Sequence, residues 1–198
     1  MVDLLAMPPQ RGPQPKTEAV LRVNYKDLKA ADKIAGALMM IMSSFRERSP
    51  EQQRIIVCIG SDRSTGDSLG PLVGTHLDKM PLPRTTIRGT LASPVHALNL
   101  EKQNLQLGRS SAKPLVIAVD ASLGKPGSVG LIEVGKGPLM PGAGVNKKLP
   151  PVGHIYLSGI VNLGGFMEQM VLQSTRLYHV LEIAMVISNG LQRALGQT

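Results

Sequence analysis

Two uninterrupted apolar runs constrain this chain more than any other feature. Ile55-Ile56-Val57-Cys58-Ile59 stops at Gly60, and Leu115-Val116-Ile117-Ala118-Val119 stops at Asp120. A strand with one wet face alternates apolar and polar residues. Five apolar residues in a row, mostly β-branched, describe a strand buried on both faces, as in a parallel sheet covered by helices. Around these runs the period changes to that of helices. Leu28, Ala31, Ile34, Ala35, Leu38, Ile41, Met42 and Phe45 recur at steps of three and four and predict a helix over 26–48, ended by Ser49-Pro50. Leu69, Leu72, Val73, His76, Leu77 and Met80 predict a second, with Pro71 in its first turn. Residues 85–91, 129–134 and 155–161 read as further strands and 94–107 as a helix. A long helix is predicted from Gly165 to Leu195, with Gly190 as a point where it can end early. Strands alternating with helices place the chain in the α/β class, as a three-layer α/β/α sandwich on a mainly parallel or mixed central sheet.

The 198 residues suit one domain, expected over 23–198, preceded by a Pro-rich, polar arm over 1–22. Cys58 is the single cysteine, which excludes a disulfide framework and a Cys-rich zinc site. The first fifteen residues hold four prolines and no apolar h-region, and no uncharged run reaches membrane-spanning length. A cytoplasmic protein with no membrane partner is the expectation. The net charge of +8 invites a nucleic-acid reading, but the 22 basic residues are scattered and the aromatics that would stack on bases amount to 3%. Nucleic acid is therefore not the expected partner.

In open α/β sheets, ligands bind beyond the carboxyl ends of the strands. The first apolar run leads into Gly60-Ser61-Asp62-Arg63-Ser64-Thr65-Gly66-Asp67-Ser68-Leu69-Gly70-Pro71, and the second into Asp120-Ala121-Ser122-Leu123-Gly124. If the two strands are neighbours, Asp67 and Asp120 meet in one crevice. Two close carboxylates do not both ionise cheaply, so one keeps a proton and the pair offers an acid and a base, enough to activate water against an amide carbonyl. Each aspartate also has a structural explanation: Asp67 as a helix N-cap, Asp120 as a turn residue bonding its own backbone. Gly60 to Gly66 lacks the Walker spacing, and Asp67 would repel phosphate. Gly66-Asp67-Ser68-Leu69-Gly70 matches the nucleophile-elbow pattern and leaves a Ser68–Asp120–His154 order open, although six residues separate Ile59 from Gly66. His96 or His154 could also join the two aspartates as metal ligands, without any tight His spacing in support. His76 and His179 lie on apolar helix faces and read as packing residues.

The blocks CIGSDRSTGDSLGPLVG, SPVHALNL, VDASLG and PLMPGAGVNKKLPPVGHIYLSGIVNLGGFMEQMVLQSTRL, in that order over about residues 51–180, resemble the YyaC family of sporulation proteins. That family is similar to the germination protease, an atypical aspartic endopeptidase acting on small acid-soluble spore proteins, and to the hydrogenase-maturation-protease fold. The resemblance implies that Asp67-Ser68-Leu69-Gly70-Pro71 and Val119-Asp120-Ala121 carry the catalytic aspartates, Asp67 and Asp120. Gly142-Ala143-Gly144-Val145-Asn146-Lys147-Lys148 matches a third block, one glycine shorter. Asp62, Arg63, Ser64, His96, Asn146 and Lys147 are then the expected substrate-binding residues. The chain departs from its relatives where Ser61-Asp62-Arg63 replaces a Gly-Asn pair, and Ser68 stands about where the maturation proteases have a nickel-binding glutamate. No metal or cofactor is called for.

The resulting expectation is a sporulation-associated peptidase of aspartic type. Its partner would be a protein or peptide substrate, with small acid-soluble spore proteins as the implied one. A non-catalytic binding or regulatory protein that keeps the peptidase fold is the main alternative, with Arg63, Lys147 and Lys148 holding an acidic ligand. A metal-dependent hydrolase is the other. The apolar helix over 26–48 leaves a homo-oligomer open.

Overall fold

A computed structural model describes residues 17–45, 52–102, 114–142 and 149–196. Six strands form one mixed sheet: β1 (Glu18–Asn24), β2 (Arg54–Cys58), β3 (Thr85–Arg88), β4 (Leu115–Gly124), β5 (Leu131–Lys136) and β6 (Ile155–Leu163). Their order across the sheet is β1-β5-β6-β4-β2-β3. β2 pairs in parallel with both β3 and β4, and β4 with β6, while β5 runs antiparallel to β6 and β1 antiparallel to β5. The chain is thus an α/β protein, as its alternating pattern indicates. The two apolar runs lie side by side at the centre: Arg54 to Cys58 match Leu115 to Val119 residue for residue.

The helices α1 (Ala30–Ser43), α2 (Leu69–Leu77) and α4 (Leu177–Leu195) supply the main core on one face. Ile34, Leu38 and Ile41 of α1, Val73 and Leu77 of α2, and Ile183, Ile187 and Leu191 of α4 meet Ile56, Cys58, Ile117, Val119, Ile132, Val134, Ile155 and Leu157 of the sheet. The opposite face carries a smaller cluster of Val57, Ile59, Val95, Leu100, Val116, Ala118, Leu139, Val152 and Tyr156. Beyond that cluster, the same face bears an open cleft lined by Asp67 and Asp120. Among the described residues no helix is long and apolar enough to cross a membrane.

The fold departs from the sequence expectations in four places. Residues 18–22, expected in the arm, belong to β1; only Val23 of that strand is buried, so no burial pattern marks it. Residues 1–16 lie outside the described set. Helix α1 starts at Ala30, because the Asp27 carboxylate and carbonyl accept hydrogen bonds from the amides of Lys29 (2.8 Å) and Ala30 (2.8 Å) and close a turn. It is followed by turn residues from Ser44, and residues 46–48 are not described. The expected helix over 94–107 is irregular up to Asn99, because Val95 bridges Ile59 at the end of β2, and turns helical from Leu100; residues from 103 on lie outside the described set.

The long C-terminal helix is two helices, α3 (Glu168–Gln173) and α4. At the break, Thr175 is buried, donates to the Val171 carbonyl at 2.7 Å and accepts from Asn162 Nδ2 at 3.2 Å, and Arg176 is extended (φ −71°, ψ 119°). Gly190 does not end α4. A Cβ there would stand 2.5 Å from Ile34 Cγ2 and 2.8 Å from Ile34 Cβ, so the missing side chain is what lets α1 and α4 touch.

Gly190→Ala separates two opposing effects. Helix propensity alone gives about 1 kcal/mol of stabilisation. Overpacking against Ile34 costs about 1–3 kcal/mol. A net loss of about 1 kcal/mol or more is expected in urea denaturation, and a gain would show that the α1–α4 contact yields without strain.

Candidate functional site

The loop from β2 to α2 is held by backbone packing that only glycine allows. Gly60 has φ +143°, and a Cβ on it would lie 2.0 Å from the Asp67 carbonyl oxygen; Ser61 N donates to that same oxygen at 3.0 Å. A Cβ on Gly70 would lie 2.0 Å from the Ile59 carbonyl oxygen. The loop therefore folds back flat against the end of β2, and a single 3-10 turn, Gly66–Ser68, carries Asp67 to the mouth of the cleft. Ser68 is buried, and its hydroxyl donates to the Thr65 carbonyl at 2.6 Å. It locks the turn and is not presented as a nucleophile. Asp67 sits inside the turn rather than at a cap position, and no side chain caps α2.

Asp120 reaches the same place from β4. Ile59 N donates to the Val119 carbonyl at 2.7 Å, which ties the end of β2 beside the residue preceding Asp120. The strands are neighbours, as convergence of the aspartates requires. Asp120 is only 8% exposed. Burial pushes its carboxyl well above the usual carboxylate range, the nearby Asp67 charge pushes it further, and the bond from its neighbour's amide (Ala121 N to Asp120 Oδ1, 2.8 Å) partly opposes both. Asp67 is half-buried and, with Asp120, lines a cleft whose wider part encloses about 890 Å3.

Of the expected substrate-binding residues, Arg63, Ser64 and His96 line that part of the cleft. Asp62 is exposed on the loop and lies outside the lining. Asn146 and Lys147, with Lys148, fall outside the described residues. His154 is at the other end of the sheet, where its Nδ1 accepts from Val116 N at 3.1 Å and its ring meets the edge of Phe45. That position breaks both the Ser68–Asp120–His154 order and a metal set built on His154. Among the described residues, no three His, Cys, Asp or Glu side chains are grouped as metal ligands. The His96 ring is turned to its own loop, with Nδ1 accepting from Leu98 N at 3.3 Å. His179, expected as a packing residue, stands edge-on to Tyr25 and Tyr178.

Several lining residues escaped sequence reasoning. Ser122, Glu133, Tyr156 and Ser158 continue the cleft across β4, β5 and β6, and Glu168 of α3 reaches both of its parts. Alternation is the signal that could have found the strand residues, since Asp120 and Ser122 of β4, and Tyr156 and Ser158 of β6, stand two apart and so share a face. The rim includes Phe166, Met167 and Met170, all exposed.

The raised Asp120 carboxyl fixes the sign of a pH effect. Its protonated form is favoured in the folded protein, so its contribution is fully present below the unfolded value of 3.8 and is lost as pH rises through the folded value. Asp120→Asn removes that titration. The stability of Asp120→Asn relative to the parent protein is expected to rise steadily from pH 4 upward in urea denaturation, and a constant difference would mean that the carboxyl is not perturbed by its surroundings.

Comparison with known proteins places this chain in a family. The chain is 48% identical over 169 residues to the uncharacterized protein YyaC of Bacillus subtilis (strain 168), covering 85% of this chain and 80% of that one. A crystal structure of the NiFe hydrogenase maturation protease HycI from Thermococcus kodakarensis KOD1 superposes with a TM-score of 0.44 at 16% identity, covering 78% of this chain and 98% of that one. Residues 22–190 match the family described as Protein of unknown function (DUF1256). With that span and the similarity to YyaC together, the chain belongs to the DUF1256 family.

Proposed function

We propose that this protein is a peptidase of sporulation in which Asp67 and Asp120 share a proton and activate water against a peptide carbonyl. The observation that carries the reading is the buried Asp120 carboxyl, raised by burial and by the Asp67 charge, at the floor of an open cleft. A carboxyl whose protonated form is favoured by its surroundings is an acid available to the carbonyl oxygen or the leaving amine. Asp67, half-buried and nearer the solvent, then accepts the proton of the attacking water. As the C–N bond breaks, the amine takes a proton from Asp120, and the proton gained by Asp67 restores the pair. Each of these steps is carried by the two carboxyl groups and water. The resemblance of the Asp67 and Asp120 blocks to those of the germination protease supports the same assignment.

The groove suits a chain rather than a compact ligand. Arg63, Ser64 and His96 lie on one side of the aspartates, and Ser122, Ser158 and Glu133 on the other, so an extended substrate would cross the pair. Small acid-soluble spore proteins are the substrate class proposed. The site faces the cytoplasm of the sporulating cell in this reading.

Purified protein incubated with small acid-soluble spore proteins is expected to yield discrete fragments by mass spectrometry. Asp67→Asn and Asp120→Asn should each slow cleavage by at least about 100-fold, the usual contribution of a positioned acid or base. Cleavage at the parental rate in both variants would overturn the mechanism. Binding without cleavage by the parent protein would move the assignment to a regulatory binding protein on the same cleft.

A further inference from the structure

The cleft face of the central strands carries a polar row that the aspartate pair does not account for. On β4 the helix-facing positions are Ile117 and Val119, while Asp120 and Ser122 point the other way; on β6 Leu157 and Val161 face the helices, and Tyr156 and Ser158 the cleft. Strand pairing aligns Asp120 with Ser158, Ser158 with Glu133, and Glu133 with Arg22, so one row crosses β4, β6, β5 and β1.

The far end of this row is already satisfied. Glu133 accepts from Tyr156 Oη at 2.6 Å through one oxygen and from Arg22 Nε at 2.7 Å through the other. The serines differ. Ser158 Oγ donates to Ser122 Oγ at 2.8 Å, and among the described residues neither hydroxyl has another partner. Two hydroxyls carry two protons and their mutual bond uses one, so one proton remains to be donated. Both serines line the same part of the cleft as Asp67 and Asp120 and are half-buried. The carboxylates of Asp67, Glu133 and Glu168 line the same part of the cleft and disfavour an anion there, so the fitting acceptor is a neutral carbonyl. Ser122 lies two residues from Asp120 along β4, or about 7 Å, which is also about two residues of an extended peptide.

We propose that the Ser122–Ser158 hydroxyl pair is a substrate-anchoring site that donates one hydrogen bond to a backbone carbonyl of an extended peptide lying along β4. That carbonyl belongs to a residue about two positions from the bond at the aspartates. The inference takes its location from the hydrolase reading and adds the substrate class: an extended backbone is recognised on this side, with no demand on the side chain at the anchored residue. The pair acts as a unit, since loss of either hydroxyl frees the other to rotate or to bind solvent.

The test is equilibrium binding of a fluorescently labelled small acid-soluble spore protein to the full chain carrying Asp120→Asn, in which cleavage is slowed enough for binding to be read. Ser122→Ala, Ser158→Ala and the double variant are each expected to weaken binding by a similar amount, about 5- to 10-fold, as one net hydrogen bond would. Ser122→Thr keeps the hydroxyl and should retain the affinity, which separates a lost donor from a disturbed fold. Unchanged affinity in all three alanine variants overturns the anchoring role and leaves the hydrolase reading standing. Alanine variants that bind weakly, in a protein that does not cleave when Asp120 is present, keep the anchor and overturn hydrolysis. No binding by the parent chain overturns both.

Discussion

The parallel pairing of β2 with β4 is the constraint on which the rest of this molecule depends. Neither strand carries a functional side chain within its apolar run; each serves to position the residues just beyond that run. In-register pairing from Arg54–Leu115 to Cys58–Val119 brings two chain exits to one level, and the Ile59-to-Val119 bond fixes that level at the last residue. A slip of one residue would turn Asp120 from the cleft to the helix face, because side chains alternate along a strand. The apolar helix face thus does more than stabilise the sheet. Val119 and Cys58 are buried with α1, α2 and α4 in one core, and that burial selects the face on which Asp120 must lie.

The glycines of the β2–α2 loop have the complementary task. An Asp at the end of a strand could point anywhere, but the contacts of Gly60 with the Asp67 carbonyl and of Gly70 with the Ile59 carbonyl leave little room for the loop to shift. Rigidity here is steric, arising from backbone pressed against backbone. The cleft that results is polar on its sheet floor and apolar at its rim, where Phe166 is 85% exposed. The net charge of +8 therefore says little about the site, since the described groups nearest Asp120 within the sheet row are hydroxyls and a carboxylate already bonded to Arg22.

The parts of the fold legible in the sequence are those where burial is extreme. Ile55–Ile59 and Leu115–Val119 show themselves because both faces are dry, and α1 and α2 because one stripe is. β1 was hidden because a mostly exposed edge strand needs no apolar alternation, and its partner is more than a hundred residues away. The break before α4 depends on Thr175 meeting Asn162, a tertiary contact without a local sign such as proline. Asp67 and Asp120 were legible as a pair through their strand ends and blocks. The Ser122–Ser158 pair was not: each serine reads as an ordinary strand residue until the register places them together.

The position of β1 has a consequence for how the chain comes together. Its pairing joins Glu18 to Lys136 and Asn24 to Leu131, so the first of the described strands to leave the ribosome lies at an edge of the described sheet and pairs there with a strand made more than a hundred residues later. Such a contact closes a very long loop, and its entropy must be met before any hydrogen bond rewards it. The central β2–β4 pair spans a shorter stretch and has the larger apolar reward, so it can form around α2 while β1 still waits. The Arg22–Glu133 bond that closes the polar row has to wait for β5, and until then the nascent chain carries β1 as an unpaired strand.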